Sequence, residues 1–190
     1  MVSRKQLNKV SIVSAGYIRE EPLRELVKVL DAVKIDLKGF SESFYRSVCQ
    51  GELEPILNTL KVLKEEKKHF EIVNLIVPTL NDKPEEIRKM CLWIKLNLGN
   101  DVPLHFTKFS PLYKLTHLPQ TPVSKLEEAH NIAKKMGLNY VYIGNVPGHV
   151  RNSTFCPKCG KRLIYRKGFQ VIENNVQEGK CKFCGQKIPG

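Results

Sequence analysis

The sequence AVKIDLKG, residues 32–39, decides the fold class, because its apolar and charged residues alternate and a glycine ends the run. A period of two is typical of a β-strand, so the charged residues share one face and the apolar residues share the other. In a barrel with helices outside, the apolar face packs on the helices and the charged face points into the lumen. Asp36 and Lys38 then stand at the carboxyl end of the strand, where ligand sites are typical. A strand at a sheet edge with a solvated charged face is the alternative.

Strand-like and helix-like segments alternate on both sides of this run. Apolar runs predict further strands at residues 10–14, 69–77, 102–109 and 140–143. Amphipathic runs predict helices at residues 22–30, 42–49, 53–66, 82–99 and 121–136, with Asp82 as the N-cap of the fourth. This order predicts a parallel sheet with crossover helices, either a partial (βα) barrel of about four to five units or an open α/β sheet.

Residues 149–190 are predicted to form a zinc ribbon after a main domain of residues 1–148. Its four cysteines stand in two pairs, CPKCG and CKFCG, as Cys156, Cys159, Cys181 and Cys184. Two residues between paired cysteines allow both thiolates to reach one metal ion, and four thiolates complete a tetrahedral zinc site. The site is therefore expected to be structural, with iron as the chemical alternative. So short a segment buries little surface, so the metal should supply much of its stability.

The cellular setting follows from what the sequence lacks. It has no run of eighteen apolar residues, and no apolar stretch follows its first residues, so we expect neither a membrane span nor a signal peptide. We therefore expect a cytoplasmic protein with reduced thiols. Cys49 and Cys91 fall on predicted helices at core positions, which favours buried, unreactive thiols.

More than half of the net charge of +12 belongs to the ribbon. Residues 151–190 hold nine Lys or Arg and two Glu, a net charge of +7, and the other residues carry +5. Such a charge is typical of nucleic-acid-binding modules, and also of tails whose lysines are only solvated.

Further polar residues stand where predicted strands end. They are Ser14, Asn74, Lys108, Ser110 and Asn145. A lone Asn in a strand is usually bonded to backbone, whereas several polar residues at one edge of a sheet indicate a ligand site. His105 and His117 lack a partner motif, which favours structural or exposed positions for both.

The segment DAVKIDLKGFS, residues 31–41, resembles the aspartate-leucine-lysine strand of radical SAM enzymes related to the pyruvate formate-lyase activating enzyme. In particular, the chain is similar to the radical SAM member of the AmmeMemoRadiSam system. Segments that resemble this family follow in the same order: EIVNLIVP at 71–78, LND at 80–82, LPQTP at 118–122, YVYIGNVPG at 140–148 and the two cysteine pairs CPKCG and CKFCG, called the cysteine knuckles below. The resemblance extends from about residue 9 to the last residue.

The resemblance implies a (βα)6 partial barrel that holds a [4Fe–4S] cluster and S-adenosylmethionine, whose radical abstracts hydrogen from a substrate. It also implies roles for individual residues. Asp36 would help to hold a monovalent cation, and Lys38 would face the methionine carboxylate. Ser14 belongs to a strand end that resembles Thr-Asn-Gly-Tyr, and Asn74 and Ser110 stand where cofactor contacts are expected.

Several features depart from the family pattern. The cluster motif, Cys-x3-Cys-x2-Cys, and the Gly-Gly-Glu strand are absent from residues 1–190. Ala15 stands where Asn is usual, Ser110 where His is usual, and Thr79 where Gly is common. The chain is therefore expected to be the C-terminal portion of a radical SAM enzyme, competent only with the missing cluster segment.

A non-catalytic half-barrel whose basic ribbon binds a protein or a nucleic acid is the alternative. A half-barrel leaves an unpaired parallel edge at residues 10–14, which predicts either a complementary N-terminal chain or self-association. The family resemblance further implies Memo-like and AMMECR-type proteins as partners.

Overall fold

A parallel sheet of five strands forms the centre of the computed structural model, which describes residues 9–168 and 170–189. The strands are β1 (Ser11–Ser14), β2 (Ala32–Asp36), β3 (His69–Ile76), β4 (Leu104–Lys108) and β5 (Val141–Gly144). They lie side by side in chain order. This is the order of a (βα) barrel segment, because a doubly wound sheet changes direction at a switch point. The predicted α/β class with a parallel sheet is therefore confirmed.

Helices connect the strands and pack against one face of the sheet. They are α1 (Glu20–Val27), α2 (Glu42–Phe44), α3 (Glu54–Glu65), α4 (Pro84–Asn97) and α5 (Val123–Lys135). α2 continues as a π-helical turn, Tyr45–Cys49. On α3, Ile56, Leu60 and Leu63 recur at helical spacing and are buried in the core shared with the strands. None of the helices in the described part of the chain has the length and hydropathy of a membrane-spanning segment.

A row of aliphatic side chains crosses four strands at the centre of the core. The parallel register places Ile35 beside Ile72, Ile72 beside Leu104, and Leu104 beside Val141. All four side chains are buried. Because burying each one contributes about 1.5–3 kcal/mol, and a slip by one residue would turn them to the opposite face, this row fixes the register.

Buried polar side chains bind the backbone where the strands end. Thr59 Oγ1 donates to the carbonyl oxygen of Gly16, just after β1, over 2.7 Å. Asn74 Nδ2 donates to the carbonyl oxygen of Leu37, just after β2, also over 2.7 Å. Both side chains are almost completely buried. Their bonds replace the ladder partners that these carbonyl groups lack.

Thr121 links the ends of β3 and β4 in the same way. Its hydroxyl donates to the carbonyl oxygen of Ile76 and accepts from the amide of Phe109, the latter over 2.9 Å. One buried hydroxyl thus satisfies a carbonyl group of one strand and an amide of the loop after the next.

Asn81 makes the largest number of these bonds. Its Oδ1 accepts from the amide of Val77 over 2.7 Å. Its Nδ2 donates to the carbonyl oxygens of Leu75, over 2.8 Å, and Lys38, over 2.6 Å. The side chain therefore ties the end of β2 to the end of β3. The term carboxyl rim is used below for these four side chains, Thr59, Asn74, Asn81 and Thr121, together with the strand ends that they bind.

The predicted N-cap of α4 is wrong. Lys83 is the N-cap residue, and its side chain makes no capping hydrogen bond. Asp82 instead accepts the amide of Thr79 over 2.9 Å. Thr79 has φ of +70°, a conformation that a β-branched residue rarely adopts. The carboxylate of Asp82 therefore stabilises the turn after β3 rather than the helix.

The ribbon contains two small antiparallel sheets. β6 (Thr154–Phe155), β7 (Arg162–Lys167) and β8 (Gln170–Asn174) form one, and β9 (Val176–Gln177) and β10 (Lys180–Cys181) form the other. β7 and β8 pair antiparallel between the two cysteine knuckles, and Phe169 lies outside the described residues. The boundary between residues 148 and 149 stays a prediction.

We expect Asn81→Ala to lower the free energy of unfolding by about 2–4 kcal/mol, because it leaves the buried amide of Val77 and two carbonyl oxygens without a partner. Urea denaturation followed by circular dichroism measures the change. Asn97→Ala is the matched control, since the exposed side chain of Asn97 donates to the carbonyl oxygen of Trp93 in its own helix, and it should change stability by less than about 0.5 kcal/mol. Equal effects of the two substitutions would contradict the role given to the rim.

Candidate metal centre and cofactor site

The four predicted metal ligands come together in the ribbon. The Sγ atoms of Cys156, Cys159, Cys181 and Cys184 all lie within 4.8 Å of one another. Cys156 is 3.6 Å from Cys184, and Cys159 is 3.8 Å from Cys181. A tetrahedral site with Zn–S bonds of about 2.3 Å has sulfur atoms about 3.8 Å apart, whereas a disulfide needs about 2.05 Å. The geometry therefore fits a metal ion held by four thiolates.

Local backbone geometry orients each cysteine pair toward the position that the four Sγ atoms share. The amide of Gly160 donates to the carbonyl oxygen of Cys156, and the amide of Gly185 donates to that of Cys181, each over 2.9 Å. The two glycines have φ of +70° and +71°. Only glycine adopts this conformation without strain, so the Cys-x2-Cys-Gly spacing forms each turn.

A metal ion held by these four cysteines would have a structural role. The buried apolar cluster of the ribbon consists of Cys156, Leu163 and Cys181. Such a cluster is small for holding a fold alone, so a bound metal ion would supply much of the folding free energy of the ribbon. Four thiolates leave no open coordination position for substrate. Zinc and iron both fit the sulfur geometry.

The two remaining cysteines do not complete an iron–sulfur site. Cys91 lies in the core, and burial raises the pKa of its thiol to about 12. Cys49 is half-buried on the π-helical turn, and burial raises its pKa as well. Within residues 9–168 and 170–189, the ribbon quartet is the cysteine group close enough to share a metal. A catalytic [4Fe–4S] cluster therefore does not fit the described part of the chain.

Asp36 and Lys38 form a pair at the carboxyl end of β2. Lys38 Nζ lies 3.3 Å from Asp36 Oδ2, with 44% and 34% of the side chains exposed. The backbone of Lys38 is held on both sides, because its amide donates to the hydroxyl of Tyr45 over 3.0 Å and its carbonyl oxygen accepts from Asn81. Burial raises the pKa of Tyr45 to about 12, so this hydroxyl stays protonated. An exposed pair contributes at most about 1 kcal/mol, so a ligand carboxylate can replace Asp36 beside Lys38.

Asn74 lies close to this pair but is not exposed. Only 2% of the residue is accessible, and its Nδ2 bonds the carbonyl oxygen of Leu37, between Asp36 and Lys38. Its Oδ1 has no hydrogen-bond partner among the residues that the structure describes. The structure thus shows Asn74 positioning the end of β2, while direct contact with a cofactor stays a prediction.

Ser14 and Ser110 lie at the ends of β1 and β4 and bond to nearby groups. Ser14 is paired with Ile35, so it shares the face of Ile35 rather than the face of Asp36. Its Oγ accepts from the amide of Gly16 over 3.1 Å. Ser110 is exposed and accepts from Gln120 over 3.1 Å. Their cofactor contacts stay predictions.

The face of the sheet that the helices do not cover, called the open face below, carries a polar group that the sequence pattern did not predict. Glu71 Oε2 lies 2.9 Å from His105 Nε2, and the His105 ring stacks on Tyr142 with centroids 4.7 Å apart. The adjacent His105 holds the pKa of Glu71 below its ordinary value. Period-two alternation places each residue on the open face, but only the register between strands shows that they meet.

The same group joins the sheet to the ribbon. The hydroxyl of Tyr142 lies 3.0 Å from Thr154 Oγ1, and Arg166 Nη1 donates to that oxygen over 2.8 Å. Thr154 is buried. A cleft of about 440 Å³ lies alongside, with Lys34, His105 and Arg166 in its wall. The ribbon thus forms one side of a cleft on the open face.

Comparison with known sequences finds a relative in an archaeon. The chain is 45% identical over 179 residues to the uncharacterized protein MJ0808 of Methanocaldococcus jannaschii. The alignment covers 93% of this chain and 53% of the relative, so the chain spans about half of the relative's length. No protein family model matches the chain.

Comparison with solved structures places the fold among radical SAM-type folds. A domain of the pyruvate formate-lyase activating enzyme from Bacteroides vulgatus aligns with a TM-score of 0.61 and 17% identity, covering 71% of this chain and 80% of that one. A radical SAM methyltransferase from Sphaerobacter thermophilus aligns with a TM-score of 0.58 and 10% identity, covering 80% of this chain and 43% of that one. At these identities the likeness establishes the shared fold.

We expect the purified protein to contain one zinc ion per chain, measured by elemental analysis. Cys159→Ser should reduce the zinc content to background and unfold the ribbon, because three thiolates leave the site incomplete. Cys49→Ser is the control and should retain the metal. Equimolar iron with visible thiolate absorption would identify the alternative metal, and full retention of metal by Cys159→Ser would contradict the assigned ligand set.

Proposed function

We propose that this chain forms the S-adenosylmethionine-binding part of a radical SAM enzyme, with Asp36 and Lys38 as cofactor contacts. The observation that carries the proposal is the exposed Asp36–Lys38 pair at the carboxyl end of β2, in a fold shared with a pyruvate formate-lyase activating enzyme domain. Ligands of (βα) barrels bind at this end of the strands.

The chemistry of the pair suits the amino-acid part of the cofactor. Lys38 offers a cation for the methionine carboxylate, and Asp36 offers a carboxylate for a monovalent cation. Because the backbone of Lys38 is held by Tyr45 and Asn81, only side-chain freedom is lost when a ligand binds. A fixed backbone of this kind lowers the entropic cost of binding.

Radical formation requires a further component. With a [4Fe–4S] cluster as one-electron reductant, bound S-adenosylmethionine would release methionine and supply a 5′-deoxyadenosyl radical. The described residues do not fit that cluster. The proposal therefore requires a cluster-binding segment beyond those residues. The chain itself would bind and orient the cofactor from one side.

The unpaired edge of the sheet at β1 favours a position for the cluster-binding segment beside that strand. Within the described residues, β1 pairs with β2 and its other edge has no strand partner. Val13 and Val10 on or beside β1 are exposed, at 69% and 41%. An apolar, unpaired parallel edge favours addition of another strand. We propose that a strand of the cluster-binding segment pairs here, with self-association through the same edge as the alternative.

The finer assignments rest on the sequence resemblance. Membership in the AmmeMemoRadiSam system, and Memo-like and AMMECR-type partners, stay predictions. A non-catalytic binding module is the alternative if the cofactor does not bind.

Isothermal titration of the full chain with S-adenosylmethionine tests the proposal. Lys38→Ala should weaken binding about tenfold, because a hydrogen bond to a charged group contributes about 1.5–3 kcal/mol. Lys89→Ala is the matched control, since Lys89 is an exposed lysine on α4, and it should bind like the unaltered chain. Absence of binding at millimolar cofactor, or equal affinities of the two variants, would overturn the proposal.

A further inference from the structure

An exposed aromatic ring with two neighbouring ammonium groups lies on the metal-binding knuckles. Phe183 stands between the ligands Cys181 and Cys184, and 41% of it is exposed. Lys161 Nζ lies 4.8 Å from the centre of its ring, and Lys182 Nζ lies 5.7 Å from it. The term knuckle face is used below for Phe183, Lys161 and Lys182.

The positive charge around this face is not neutralised within the ribbon. Six lysines of the ribbon have no carboxylate oxygen within 4.0 Å among residues 9–168 and 170–189: Lys158, Lys161, Lys167, Lys180, Lys182 and Lys187. Lys182 bonds to a neutral group, Asn175 Oδ1, over 3.0 Å. Of the two ribbon glutamates, Glu173 lies 3.9 Å from Arg162. The face therefore presents unpaired cations beside an exposed ring.

We propose that the knuckle face binds single-stranded nucleic acid, with a base stacked on Phe183 and phosphates beside Lys161 and Lys182. Proteins that bind single strands without sequence preference combine a cationic surface with exposed aromatic side chains, because every base has a face that stacks. An acidic protein partner would use the cations but has no need for the exposed ring. The inference does not depend on radical chemistry.

The metal centre sets the geometry of this surface. The ligands on either side of Phe183 fix the backbone of the second knuckle, and the first knuckle supplies Lys161 two residues after Cys159. Loss of the metal would separate the two knuckles and therefore separate Lys161 from Phe183. Binding should consequently require the metal-loaded ribbon.

Fluorescence anisotropy of the full, metal-loaded chain with a labelled 20-nucleotide oligo-uridine RNA tests the proposal, beside the matching oligo-thymidine DNA and a DNA duplex of equal length. We expect both single strands to bind more tightly than the duplex, with affinity falling as salt rises from about 50 to 200 mM. Phe183→Leu should weaken binding about tenfold, since stacking contributes about 1–3 kcal/mol per base, and leave the salt dependence unchanged. The exposed Tyr17→Leu is its control and should bind normally.

Lys161→Gln with Lys182→Gln should reduce the slope of log affinity against log salt by about 0.7 for each lost phosphate contact. The control pair Lys89→Gln with Lys135→Gln removes the same charge from exposed helix positions of the main domain, and should not change the slope. Metal analysis confirms that each variant keeps its ribbon. The proposal would be overturned if both lysine pairs reduced the slope equally, or if the duplex bound more tightly than the single strands. It would also be overturned if the chain bound poly-glutamate and Phe183→Leu left that binding unchanged. That last result would indicate an acidic protein partner instead.

Discussion

Parallel strands leave amide and carbonyl groups without ladder partners where each strand ends, and a buried group of this kind costs about 1–3 kcal/mol when it stays unbonded. In this chain the carboxyl rim supplies those partners from within the protein. Asn81 alone bonds to three backbone groups on two strand ends, and Thr121 bonds to two more. The loops after β2, β3 and β4 are thereby attached to one another, so the polar edge of the sheet is fixed before any ligand arrives.

The two parts of the molecule reach stability by different means. The main domain buries a continuous apolar core between sheet and helices, whereas the buried cluster of the ribbon holds two metal-ligating cysteines and Leu163. Their contact is polar, through Tyr142, Thr154 and Arg166. A metal ion at the four cysteines would therefore stabilise the ribbon directly and also support the wall of the cleft that Arg166 lines.

The sequence predicted the features that depend on local spacing. Alternation in residues 32–38 was sufficient to assign the faces of β2, because burial of Val33, Ile35 and Leu37 leaves one possible orientation. The cysteine knuckles were predictable because each pair and its glycine lie within five residues. Asn74 and Glu71 were not understood from sequence, since their partners are distant in the chain: Leu37 is 37 residues away from Asn74, and His105 lies on the neighbouring strand. Asp82 fits the local pattern of a helix N-cap, but its carboxylate accepts the amide of Thr79 in the turn after β3 and does not cap the helix.

The carboxyl rim holds the strand ends fixed, and amide hydrogen exchange measured by NMR tests whether it does. The amides of Val77 and Phe109 donate to the rim side chains Asn81 and Thr121. The amide of Lys38, whose carbonyl oxygen accepts from Asn81, donates to the neighbouring Tyr45. If the rim is fixed, these three amides exchange as slowly as that of Ile72 in the centre of β3, through global unfolding. Exchange of the three near the rate of an unstructured peptide, while Ile72 stays protected, would contradict the account.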